Sequence, residues 1–114
     1  VKLNDILHPA VRQRFKEWAS EQTAPCVVME AAILAETGGA KAFDHVVVVT
    51  APEALRIQRV MRRDGATEGE VRARLRNQTD EDTRLALADS VIKNDDRTLV
   101  IPQVLDLHRQ LTTP

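Results

Sequence analysis

Residues 45–53, HVVVVTAPE, determine the fold class of this 114-residue chain. Four consecutive valines leave no polar face, which favours a parallel strand covered on both sides over an antiparallel strand that faces water. Shorter apolar runs at residues 26–29 and 90–93 predict two further parallel strands. Because helical patterns alternate with these runs, the sequence predicts an α/β fold in which helices flank parallel strands.

Amphipathic patterns predict five helices around the strands. Pro9 and Pro102 suit the first turns of the first and last helices, and Gly65 breaks the chain between the second and third. Thr67 and Glu70 form a capping box that opens the third helix. The predicted helices cover residues 8–22, 52–63, 67–76, 80–88 and 102–111.

The composition limits the classes of partner. With 16 Lys and Arg against 17 Asp and Glu, the net charge is −1, which argues against a nucleic-acid or membrane-surface protein. No apolar run approaches the roughly 20 residues of a membrane span. Cys26 is the single cysteine, so the chain forms no internal disulfide and shows no metal-ligand spacing. We therefore expect a cytoplasmic protein with no metal ligands of its own.

Seven of the sixteen cationic residues lie between Arg56 and Arg76, and all seven are arginines. One interpretation is a solvated, salt-bridged helical arm. The other is a phosphate clamp, because the planar guanidinium donates two parallel hydrogen bonds and stays charged at any physiological pH. A hinged, Arg-rich arm that follows a parallel strand is typical of a lid in phosphoryl-transfer enzymes.

A phosphate cradle is not found in the 114 residues. The four glycines stand at positions 38, 39, 65 and 69, and no G-x-x-x-x-G-K-[ST] occurs. If the arm is a lid, the loop that would surround the nucleotide phosphates must come from elsewhere.

Six motifs nevertheless occur in order along nearly the whole chain. They are LHPAV at 7–11, MEAAILAE at 29–36, VVVTAPE at 47–53, RVMRRDG at 59–65, RLRNQ at 74–78, and ADSVI at 88–92 followed by Asn94. Together they resemble the dephospho-CoA kinase family, whose members use ATP to phosphorylate the 3′-hydroxyl of dephospho-CoA in the last step of coenzyme A biosynthesis. Asp95 departs from the family pattern, which frequently has Gly at that place.

The resemblance implies a partial P-loop NTPase three-layer sandwich with parallel strands and a helical lid. On this resemblance, the 114-residue chain would be the C-terminal portion of such a transferase, without the P-loop, and we expect this fragment alone to be inactive. Within this single kinase domain, residues 1–25 would form the CoA-region helix and residues 26–55 the core strands. The lid and connecting helices would cover residues 56–88, and the last strand and C-terminal helix residues 89–114.

The same resemblance implies roles for individual residues. Arg59 and Arg63 would be catalytic lid arginines that meet the phosphates of ATP, which acts together with Mg²⁺. They share a helix face at i and i+4, although an ion pair of Arg63 with Asp64 or Glu68 is an equally open interpretation. Asn94 would lie where the nucleotide is held, and His8 is a candidate contact to dephospho-CoA.

Two alternative functions remain at the level of sequence. The chain could belong to another small-molecule or nucleotide P-loop kinase, such as an adenylate-kinase-like enzyme. It could also be a non-enzymatic, Arg-rich helical binding module, but the arginine segment has no aromatic residues for stacking on bases. In either kinase interpretation we expect no nucleic-acid or membrane partner, and we expect self-association through an exposed sheet if the rest of the fold is absent.

Overall fold

The computed structural model describes residues 2–31 and 39–113. Two compact units are distinguished, one of residues 1–30 with 111–114 and one of residues 31–110, and each is described by itself. Most of the motif at 29–36 and the glycine at position 38 lie outside the described residues. The elements in chain order are α1 (Lys2–Ser20), a short 3₁₀ helix (Gly39–Ala42), β1 (Val47–Thr50), α2 (Glu53–Asp64), α3 (Glu68–Arg76), α4 (Glu81–Ala86), β2 (Ser90–Lys93) and α5 (Val100–Thr112).

In the described part of the larger unit, the sheet consists of β1 and β2, which pair in parallel. Val47 lies opposite Ser90, and Thr50 lies opposite Lys93. This pairing confirms the α/β prediction, because parallel strands must be joined by a crossover, here built from α2, α3 and α4. The buried core of the described residues consists of Val46, Ala51, Ile57, Val71 and Ile92.

Polar contacts at the amino ends of the strands hold this register. The Val46 amide donates to Oδ2 of Asp89 at 2.7 Å, and the Val46 carbonyl accepts from the amides of Asp89 at 2.8 Å and Ser90 at 3.2 Å. Nε2 of His45 lies 2.8 Å from Oγ of Ser90. A shift of register by one residue would break all of these contacts together, so Asp89 ties the start of β2 to the start of β1.

The turn between α2 and α3 follows the sequence prediction closely. Gly65 adopts a left-handed φ of 65° and its amide donates to the Met61 carbonyl at 2.9 Å, which ends α2. Oγ1 of Thr67 then accepts from the Glu70 amide at 3.2 Å and opens α3. The two helices pack against each other as a hairpin.

Two helix starts differ from the prediction. α1 begins at Lys2, so Pro9 lies inside the helix rather than in its first turn. The apolar spacing of Leu3, Leu7 and Val11 continues the helical pattern upstream, and a proline there removes one hydrogen bond without ending the helix. α5 likewise begins at Val100, two residues before Pro102.

The predicted strand at residues 26–29 was wrong for this structure, since residues 26–29 have no regular secondary structure. A strand of four residues is stable only when a neighbouring strand accepts its hydrogen bonds. β1 and β2 pair only with each other in the described part of the chain. As a result, the side chains of Cys26 and Val28 are exposed.

Gly65 and Gly69 offer a matched pair of substitutions. A Cβ atom at either glycine would meet no heavy atom within 4 Å, but only Gly65 has a positive φ. We expect Gly65→Ala to lower the free energy of unfolding by about 1–2 kcal/mol, because a left-handed backbone disfavours any side chain. Gly69→Ala, in the first turn of α3, should be neutral or raise it by up to about 1 kcal/mol. Urea denaturation measures both, and equal losses would contradict the backbone explanation.

Candidate functional site

A cleft lies at the carboxyl ends of the parallel strands, the edge at which open α/β sheets bind ligands. Its volume is about 260 Å³. The lining residues come from the end of β1, the following turn, the start of α4 and the end of β2: Thr50, Ala51, Pro52, Glu81, Lys93 and Asp95. The amide of Asn94 donates to the Thr50 carbonyl at 2.8 Å, so the two strands are still joined where the cleft begins.

Glu81 anchors the floor of the cleft. Its carboxylate accepts a hydrogen bond from Oγ1 of Thr50 and lies 3.7 Å from the Arg56 guanidinium. Nε of Arg56 donates in turn to the Ala51 carbonyl at 3.1 Å. These contacts connect the first turn of α4, the end of β1 and the first turn of α2, so polar side chains hold this end of the cleft in a defined shape.

Arg59 and Asn94, two of the predicted site residues, are in contact. Nη1 of Arg59 donates to the Asn94 carbonyl at 2.8 Å, and Nη2 donates to Oδ1 of Asp96 at 3.0 Å. Asp96 has a φ of 65° and is the one non-glycine residue with a positive φ in the described part of the chain. The conformation that favours Gly therefore lies at Asp96, one residue after the position at which the family pattern suggested it.

Two further side chains hold the loop of residues 94–98. The Asp95 carboxylate accepts from the amides of Thr98 at 2.8 Å and Arg97 at 3.0 Å, and these hydrogen bonds lower the pKa of Asp95 below its ordinary value. The Gln103 side chain accepts from the Lys93 amide at 2.8 Å and donates to the carbonyls of Lys93 at 3.0 Å and Leu99 at 2.8 Å. Gln103 thus binds Lys93 as a neighbouring strand would.

Arg63 belongs to a separate cluster at the end of α2. Its Nε and Nη2 atoms donate to the two carboxylate oxygens of Asp64 at 2.8 and 3.1 Å, and Nη1 of Arg74 reaches the same carboxylate at 3.1 Å. The hydrogen bond from Arg63, supported by Arg74, lowers the pKa of Asp64 from 3.8 to about 2. Of the alternatives left open for Arg63, the ion pair with Asp64 is the one observed.

His8 lies in α1, which belongs to the smaller unit. This helix borders an open apolar cleft of about 500 Å³, and His8 lies two residues before Ala10 and three before Val11, which line it. The rings of Phe15 and Trp18 lie 5.8 Å apart, centroid to centroid, within this cleft. The lining residues are Ala10, Val11, Arg14, Phe15, Trp18 and Met29.

Sequence reasoning missed three residues of interest. Glu81 and Lys93 line the cleft at the sheet edge, and Arg84 has a buried Nε atom without an acceptor among the described residues. A charged residue that ends a parallel strand, as Lys93 does, is a signal that could have been used. No local signal identifies Glu81, because its partner Thr50 is 31 residues away.

Neither a metal-binding cluster nor a membrane-spanning helix is found in the ranges 2–31 and 39–113. No group of three or more His, Cys, Asp or Glu side chains there could hold a metal ion. No helix there is sufficiently long and apolar to cross a membrane.

Comparison with known proteins gives a consistent result. The family model for dephospho-CoA kinase (CoaE) matches residues 1–99. Dephospho-CoA kinase from Bacteroides fragilis is 38% identical over 93% of this chain and 52% of its own length, and the one from Dechloromonas aromatica is 39% identical over 96% and 54%. The crystal structure of TT1252 from Thermus thermophilus superimposes with a TM-score of 0.87 at 31% identity, covering 99% of this chain and 59% of that one. The chain therefore spans about half the length of the curated relatives it matches.

The hydrogen bonds of Arg63 and Arg74 to Asp64 should have an effect that a pH titration can measure. The lowered pKa means that the charged Asp64 stabilises the folded chain above pH 3.8 and that this contribution is lost as the pH falls through about 2. The stability difference between the chain and its Asp64→Asn variant should therefore shrink over that interval. In an NMR titration of the carboxyl carbons, Arg74→Gln should raise the pKa of Asp64, whereas the control Arg72→Gln should leave it unchanged. A pKa of Asp64 near 3.8 would contradict the assignment.

Proposed function

The chain belongs to the dephospho-CoA kinase family, and from this we propose that the protein at its full natural length transfers a phosphoryl group from ATP to the 3′-hydroxyl of dephospho-CoA. The family match over residues 1–99 carries this proposal. The geometry supports it, since Arg59 contacts Asn94, and the neighbours of Asn94 in the chain, Lys93 and Asp95, line a cleft at the carboxyl edge of a parallel sheet.

We assign the arginines of α2 to the phosphates of ATP. Phosphoryl transfer requires little covalent chemistry from the protein, so its catalysis is mostly positioning and stabilisation of charge on the phosphate oxygens. Arg59 is the principal candidate and Arg63, one turn further along α2, is the second. Both guanidinium groups hold a carboxylate in the present structure, and in this proposal each meets a phosphate oxygen with the donors that now hold that carboxylate.

The nucleotide and Mg²⁺ occupy the carboxyl edge of the sheet in this proposal. Asn94 begins the loop on which the nucleoside part of ATP is held, and its backbone is fixed by both Thr50 and Arg59. Mg²⁺ is usually held through nucleotide phosphates and water rather than by a full protein cage, so it needs no dedicated ligand set in this part of the chain.

We assign the apolar cleft of α1 and His8 to dephospho-CoA. The cleft is lined by the exposed Val11 and Trp18 and the half-buried Phe15 along one face of the helix, which suits the apolar part of a CoA precursor. His8, about one turn earlier on α1, would donate to a polar group of the same substrate. Both ligands are soluble metabolites, and we place the reaction in the cytoplasm.

The direct test is a phosphoryl-transfer assay with alternative acceptors. The protein at its full natural length should convert dephospho-CoA and ATP to CoA and ADP, and should not phosphorylate AMP or shikimate at comparable rates. The 114-residue chain assayed alone is the control and should give no CoA, because it contains no G-x-x-x-x-G-K-[ST] loop. Preference for AMP would favour an adenylate-kinase-like enzyme instead.

Arg59→Ala should lower kcat in that assay by about 10- to 1,000-fold, because the guanidinium acts mainly on charge that develops in the transition state. Stability should change little, since the Asp96 carboxylate is 70% exposed and its ion pair with Arg59 contributes little. Arg72→Ala is the matched control, because Arg72 pairs with Glu68 on the exposed side of α3 and should not affect turnover. Unchanged turnover in Arg59→Ala would remove Arg59 from the site.

The 114-residue chain by itself should self-associate through its sheet. Val47, Val49 and Val91 are exposed large apolar residues on a two-stranded sheet. We expect an interface that buries these valines and exceeds roughly 1,000 Å² in total. Light scattering at micromolar concentration tests this, and a stable monomer would contradict it.

A further inference from the structure

Arg59 forms an ion pair with Asp96, which lies in the loop that borders the proposed nucleotide site. Nη2 of Arg59 lies 3.0 Å from Oδ1 of Asp96, while Nη1 is held separately by the Asn94 carbonyl at 2.8 Å. A guanidinium binds carboxylate and phosphate oxygens with the same planar donor groups. The Asp96 carboxylate therefore stands where a phosphate oxygen would be bound.

Asp96 has little other reason to be acidic. Its side chain is 70% exposed, and Arg59 is its one side-chain partner among the described contacts. Its φ of 65° is a conformation that Gly adopts more readily. An exposed, acidic residue in a glycine-favouring conformation gains its contact with Arg59 and contributes nothing to the buried core.

We propose that Asp96 is an affinity-determining residue for the proposed reaction: its carboxylate holds Arg59 in the free protein, and a phosphate group of ATP displaces it. This inference rests on the proposed function. ATP carries several negative charges against the single charge of Asp96. The Asp96 carboxylate is 70% exposed, so its ion pair with Arg59 is weak and can be exchanged for one with a phosphate group. Nη1 can keep its bond to the Asn94 carbonyl during the exchange, which leaves the guanidinium beside the cleft.

The cluster around Arg63 shows why Arg59 is the exchangeable arginine. Asp64 receives two hydrogen bonds from Arg63 and a third from Arg74, and its side chain is only 31% exposed. A phosphate that took Arg63 would have to break two bonds to a more buried carboxylate. At Arg59 it breaks one bond to an exposed carboxylate.

Asp96→Asn in the protein at its full natural length tests the inference. Removing the competing charge should lower KM for ATP by about two- to fivefold and leave KM for dephospho-CoA unchanged. Tripolyphosphate should inhibit the variant more strongly by a similar factor, whereas adenosine, which has no phosphate, should inhibit both proteins equally. Asp106→Asn is the matched control: Asp106 forms a similar exposed pair with Arg109, at 3.1 Å on α5, and its loss should alter no KM.

Further variants separate the failure of this inference from failure of the proposed function. Gly readily adopts the left-handed backbone of residue 96, so Asp96→Gly should lower KM for ATP as much as Asp96→Asn does. With two variants, a folding defect in one of them does not decide the result. When Arg59→Ala is also present, neither Asp96 variant should lower KM for ATP. If Arg59→Ala impairs turnover but neither Asp96 variant lowers KM for ATP, or if only KM for dephospho-CoA falls, the inference is overturned and the proposed function stands. If the protein does not phosphorylate dephospho-CoA, the proposed function itself fails.

Discussion

The parallel pairing of β1 with β2 is the constraint on which the rest of the larger unit depends. Two hydrogen bonds between Asp89 and Val46, and a third from the Ser90 amide to the Val46 carbonyl, fix the amino ends of the two strands. Because both strands then run in the same direction, their carboxyl ends meet at one edge, where Thr50 and Lys93 lie opposite each other. The cleft, the start of α2 and the loop after β2 all take their positions from this edge.

Side chains, rather than further strands, complete this edge. Gln103 bonds to both backbone groups of Lys93, Arg59 bonds to the Asn94 carbonyl, and the Asp95 carboxylate closes the following turn. A loop held at three points is prearranged for a ligand and loses less conformational entropy when one binds. These side-chain hydrogen bonds also explain how the edge keeps its shape although few of the described residues are buried.

The charges of the helical arm reconcile the two interpretations of its arginines. Arg59, Arg63, Arg72 and Arg74 all pair with nearby carboxylates, as a solvated, salt-bridged arm requires. Ion pairs near the surface contribute little stability, so they order the guanidinium groups and can still be exchanged for other anions. The same arm can therefore be salt-bridged in the free protein and still offer arginines to a phosphate.

Features that depend on neighbouring residues were predictable from the sequence: the α/β class, β2 at residues 90–93, the end of α2 at Gly65 and the cap at Thr67. The helical spacing, the glycine that ends α2 and the Thr67 cap are local, so they could be predicted. Whether residues 26–29 form a strand depends on the tertiary fold, because a strand needs a neighbouring strand to pair with. The contact of Arg59 with Asp96, 37 residues away, likewise depends on the tertiary fold. Which carboxylate neutralises which arginine depends on where chain segments meet in space, and residue spacing does not encode that.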